Sequence, residues 1–148
     1  MKFWTINVAT EKNKHHMILN KAAYIGLGLS GEIPNKCENP TKYNKARTNR
    51  NSTPFQFSYF NNNKEKGDII VLYENKIGHI YYGKITGEIT KPIKGIDLAP
   101  DWDINEIQYH IKVFGWTKIE NPHMKNCRRK TLTEITENDF NSILDKHI

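Results

Sequence analysis

Cysteine is scarce in this chain of 148 residues, and its two copies, Cys37 and Cys127, stand far apart with no CxxC or Cys/His spacing. That pattern points to neither a disulfide framework nor a zinc site and reads as two reduced thiols. No segment approaches the roughly 18 apolar residues of a membrane span, and Met1 to Asn7 lacks the long apolar core of a signal peptide. The expectation is a chain that stays inside the cell, cytoplasmic or nuclear rather than secreted, with no membrane partner. The sequence also lacks a Walker loop, a GxSxG elbow and an HExxH pair; His15, His16, His79, His110, His123 and His147 fall at no metal-ligand spacing. These absences lead to the expectation of no metal, no cofactor and no enzymatic activity of its own.

What the chain does have is basic charge. Its formal net charge is +6, which attracts a polyanion without any specific pocket. Two segments concentrate that charge. Lys42, Lys45, Arg47 and Arg50 surround Tyr43 with no acidic residue among them, and Lys125, Arg128, Arg129 and Lys130 form a second run. Both suit contact with a phosphate backbone, a salt-dependent and sequence-independent source of affinity.

The order of elements follows from patterning. Phe3 to Val8 is aromatic, β-branched and apolar, as a buried strand requires. Glu11 to Ala23 reads as a helix with Thr10 at its N-cap, followed by a glycine-interrupted strand over Tyr24 to Leu29. A polar, basic loop occupies about 31–53. Pro54, placed as a first-turn proline behind Thr53, opens a helix carrying Phe55, Phe57, Tyr59 and Phe60. The turn Lys66-Gly67-Asp68 leads into the apolar run Ile69 to Tyr73, and Ile77 to Thr86 returns as a hairpin. Ile107 to Ile119 alternates as one strand with a bulge at Gly115. Thr131 to Ile135 adds a short element, and Thr136 with Asp139 caps a last helix through Phe140, Ile143 and Leu144. The order is not the regular alternation of a doubly wound sheet, and an α+β fold with a small, curved, partly closed barrel and flanking helices is expected.

Three of these pieces, in this order, resemble EVE and YTH domains of the PUA-like superfamily. Lys2-Phe3-Trp4-Thr5-Ile6-Asn7, with the helix and Tyr24-Ile25-Gly26-Leu27-Gly28 after it, is similar to their opening. Gly67-Asp68-Ile69-Ile70-Val71-Leu72-Tyr73 and Ile80 to Gly87 resemble their central hairpin, and Ile111 to Trp116 resembles their late strand ending near a tryptophan. The resemblance covers most of the chain outside the loop and implies one EVE-like domain over residues 1–148. It implies a stand-alone binding module or subunit, similar to the modified-base readers of restriction systems, with DNA or RNA as partner and an effector activity carried by a protein partner. The alternatives are a small metal-independent PUA-like ribonuclease and a protein-interaction adaptor.

A base drawn from its stack needs an aromatic face and polar groups for its Watson–Crick edge. Trp102 stands on a polar connection with no periodic reason for a large ring, and Asp101 or Asp103 beside it can accept a base amino hydrogen. The resemblance adds Asn7 and Val8 from the first strand and Ile25 and Gly26 from the second to the same pocket. Where many relatives carry a tryptophan in that second strand, this chain has Tyr24. Trp4 and Trp116 fall in strand patterns and read as core, while Tyr59, Tyr73 and Tyr82 read as packed rings with tethered hydroxyls.

Overall fold

The computed structural model describes residues 1–8, 11–26, 53–74, 80–86, 89, 108–120 and 132–144. Seven strands and three helices lie among them, in the order β1 (Phe3–Val8), α1 (Glu11–Asn20), β2 (Ala22–Gly26), α2 (Thr53–Asn63), β3 (Ile69–Glu74), β4 (Ile80–Lys84), β5 (Gln108–Lys112), β6 (Thr117–Ile119), β7 (Leu132–Ile135) and α3 (Glu137–Leu144). Five strands form one sheet in the order β6-β4-β3-β1-β7, and β2 pairs with β5 in a separate ribbon. The described strands make these two sheets and no closed ring. Among the described residues no helix is long and apolar enough to cross a membrane.

β1 and β3 lie parallel at the centre, in register from Phe3↔Ile69 to Val8↔Glu74. Both faces of this pair are covered, which is why Ile69 to Tyr73 is apolar without alternation. Side chains still part by strand parity. Trp4, Ile6, Val8, Ile70 and Leu72 enter one core with Met17, Phe57, Phe60 and the ribbon residues Ile25 and Ile111. Phe3, Ile69, Val71 and Tyr73 enter a second core, to which α3 contributes Phe140 and Ile143. The sheet is thus a middle layer, with α1, α2 and the ribbon on one face and α3 on the other.

Asp68 fixes one end of this arrangement. Its buried carboxylate accepts hydrogen bonds from the Lys2 backbone N–H at 2.8 Å, the Trp4 indole N–H at 3.1 Å and the Glu65 backbone N–H at 2.8 Å. The start of β1, the exit from α2 and the entry to β3 therefore meet on one side chain. Trp4 then packs its ring edge-on against Phe60, 4.8 Å between centroids. At the opposite edge, the Gln56 side-chain oxygen accepts from the Leu132 N–H at 2.9 Å and clasps α2 to β7.

Two boundaries differ from those expected. α1 stops at Asn20, because Lys21 takes a left-handed backbone conformation with φ of 52° and so ends the helix. β2 accordingly begins at Ala22. The segment expected as one bulged strand is two strands in different sheets: β5 pairs with β2, and β6 pairs with β4. Between them Val113 to Trp116 turns a corner, with Gly115 at φ 71°. The bridge Ile85↔Val113 stitches the ribbon to the larger sheet at this corner. The cap at α3 is as expected: Asp139 N–H donates to Thr136 Oγ1 at 3.0 Å and Thr136 N–H to Asp139 Oδ2 at 3.3 Å.

Candidate nucleic-acid interface

The ribbon decides which residues of β2 meet the core. Ala23 and Ile25 pair with Ile111 and Tyr109, and this face packs inward, where Tyr109 meets the ring of Phe57 at 4.9 Å. Tyr24 pairs with His110 on the opposite face. Their rings stack with centroids 3.9 Å apart and planes 25° from parallel. His16, from α1, lies 5.5 Å away at a tilt of 59°. The result is a short aromatic column of imidazole, phenol and imidazole. Tyr24 is only 3% exposed, and the contact with His110 leaves no room for a base plane between those two rings.

α1 presents two unlike faces. Asn13, Lys14 and Met17 are buried, so the helix sets an amide and an ammonium group against the body of the fold. Both residues are engaged by neighbouring groups. On the outside, Glu11, Lys12, His15, His16 and Leu19 line a hollow of about 460 Å³. His16 belongs to both the hollow and the aromatic column, which links the surface of α1 to Tyr24.

Of the residues expected to form a base pocket, Val8, Tyr24 and Ile25 join one buried cluster. Asn7 is half-buried opposite Tyr73 in the β1–β3 pair, and Gly26 pairs with Gln108 at the end of the ribbon. Trp102, Asp101 and Asp103 lie outside the described residues. So do Lys42, Lys45, Arg47 and Arg50, and also Lys125, Arg128, Arg129 and Lys130. Trp4 is core, and Trp116 is half-buried with its indole N–H donating to the Met17 carbonyl at 3.2 Å. The Tyr59 hydroxyl is tethered to Glu134, and the Tyr82 ring packs edge-on against Phe140.

Sequence reasoning did not single out His16, His110, Asn13 or Lys14. The stack of His110 on Tyr24 is a cross-strand pairing whose register no local pattern gives. Asn13 and Lys14 look like solvent-facing residues in a helix of this polarity; only the position of Met17, one turn on, signals which side faces inward.

No protein-family model matches the chain, and no curated protein is significantly similar to it. Solved structures are similar in fold. The YTH domain of Zygosaccharomyces rouxii MRB1 protein, crystallised in complex with N6-methyladenosine RNA, superposes with a TM-score of 0.51 at 13% identity, covering 97% of this chain and 84% of that one. The Pho92 YTH domain in complex with m6A gives a TM-score of 0.50 at 13% identity, covering 99% of this chain and 85% of that one. The chain therefore has a mixed α+β, YTH-like fold.

Proposed function

We propose that this chain is a binding module that reads a modified base in nucleic acid, with N6-methyladenine in a single RNA strand as its preferred target. The observation that carries the reading is the likeness, over nearly the whole chain, to two YTH domains whose structures hold methylated adenosine. The net charge of +6 supports it, since a base can be presented only if the phosphates around it are tolerated.

In this reading the base leaves its stack and enters beside the ends of β1 and β2. Trp102 provides the aromatic face, and Asp101 or Asp103 accepts the hydrogen of the methylated amino group. The backbone at Asn7 and Val8 and at Ile25 and Gly26 forms the wall behind it, and the Tyr24–His110 stack holds that wall rigid. Lys42, Lys45, Arg47 and Arg50, with Lys125, Arg128, Arg129 and Lys130, neutralise the flanking backbone. The module binds without cleaving, and any effector activity resides outside it.

The test is a binding series with matched RNA and DNA oligonucleotides, each with and without N6-methyladenine, across a range of salt. The expected result is tighter binding of the methylated RNA strand, with affinity for every strand falling as salt rises. Trp102→Ala should remove the preference for the methyl group and leave the melting temperature nearly unchanged. Arg47→Ala with Arg50→Ala should weaken all strands alike and flatten the salt dependence. Equal affinity for methylated and unmethylated strands sinks the reader assignment, and metal-independent cleavage of RNA would replace it with a ribonuclease.

A further inference from the structure

The corner between β5 and β6 spends an aromatic ring on solvent. Phe114 is 76% exposed, although the backbone around it is hydrogen-bonded to neighbouring segments. Its own N–H donates to the Lys84 carbonyl at 2.7 Å, the Val113 N–H donates to the Lys21 carbonyl at 2.9 Å, and the Thr86 N–H donates to the Lys112 carbonyl at 3.0 Å. Gly83 lets the strands close on one another here: a β-carbon at that position would sit 2.5 Å from the Gly115 carbonyl oxygen and from Val113 Cγ1. The ring is therefore displayed from a backbone with little freedom left to lose.

The same bonds all end on lysine carbonyls. Lys21, Lys84 and Lys112 are all exposed, and each contributes a carbonyl to the corner. Among the described residues none of the three makes an ion pair. An exposed ring on a hydrogen-bonded backbone, with three exposed lysines on the adjoining segments, matches what a single nucleic-acid strand offers, a flat base and a phosphate within one nucleotide. An acidic peptide would answer the charge, but only a nucleotide joins a flat ring to an anion in every residue of the strand.

We infer that the Phe114 corner is a contact for a single strand of nucleic acid, on which one base stacks while Lys21, Lys84 and Lys112 meet the adjoining phosphates. This contact rests on the reading of the chain as a nucleic-acid binder, but not on recognition of a methyl group. It acts on any base, because every base has a face, and it leaves duplex untouched, because paired bases do not expose theirs.

The experiment measures binding of an unmodified oligouridylate, the same strand with one N6-methyladenine, and an unmodified RNA duplex. Phe114→Ala should weaken both single strands by about tenfold and by the same factor, with duplex binding unchanged. Phe114→Trp should retain wild-type affinity. The triple change Lys21→Gln, Lys84→Gln and Lys112→Gln should reduce the salt slope of single-strand binding by about 2. Melting curves identify any variant that fails to fold, and Phe114→Trp then carries the comparison. Single-strand affinity within twofold of wild type for a folded Phe114→Ala overturns the inference, as does an equal loss on duplex. Binding of polyglutamate that depends on Phe114, with RNA binding unaffected, overturns it in favour of an acidic peptide. If Phe114→Ala loses the tenfold while the wild type ignores the methyl group, the corner stands and the base reader falls; the reverse pattern separates them the other way.

Discussion

Two turns in this molecule use the same backbone device to opposite ends. Gly67, at φ 92°, and Gly115, at φ 71°, both place a residue in a conformation that L side chains avoid. Beside Gly67 stands Asp68, fully buried, its carboxylate accepting three N–H groups, two from the start of β1 and one from the exit of α2. Beside Gly115 stands Phe114, an apolar ring left in water. The first turn inverts the usual rule by burying charge and the second by exposing hydrocarbon. A buried carboxylate with its donors complete is a structural fixture. The exposed ring buries little of its surface and so contributes little to the fold.

The largest effect expected from breaking this contrast is at Asp68. Asp68→Ala leaves the Lys2, Trp4 and Glu65 donors without their acceptor, and should cost about 3 kcal/mol or more. In a thermal melt that is a fall on the order of 10 °C. A drop of only one or two degrees means that the three donors find other partners. Gly83→Ala probes the other turn from behind. Its new methyl group meets the Gly115 carbonyl, and relief requires the corner to move, at about 1–3 kcal/mol. Single-strand affinity should fall with it, because the ring shifts with the backbone. Smallest is Phe114→Ala, which should change stability by no more than about 0.5 kcal/mol in a denaturant titration. A larger loss would make Phe114 a packing residue and erase the contrast.

The same two turns show what local sequence can and cannot reveal. Phe3–Val8 matches the strand read from composition residue for residue, and β3 runs one residue past the expected Tyr73 to Glu74. Continuous apolar runs name central strands because burial on both faces leaves no alternation to misread. The cap at Thr136 and Asp139 was legible for a different reason: its partners are three residues apart. Ile107 to Ile119 misled because Tyr109, Ile111 and Val113 keep their alternation up to the very residue where the chain changes sheets. Nothing local says that β5 faces β2 while β6 faces β4. For the site, Tyr24 was legible as an aromatic in the second strand. Its companions His16 and His110 were not, since each reaches it from another element. Trp102 stands out as a ring with no periodic reason and the two basic segments by their charge alone, and all of them lie outside the described residues.

The seam between ribbon and sheet has a mechanical consequence. Among the described residues, the backbone links β5 to the end of β4 through only the Thr86 and Phe114 amides about the Ile85↔Val113 bridge. Rocking of the ribbon would strain those few peptide groups, and the Tyr24–His110 stack riding on it would tilt as one piece against His16 on α1. The joint that carries Phe114 is thus also the pivot about which Tyr24 and His110 would swing.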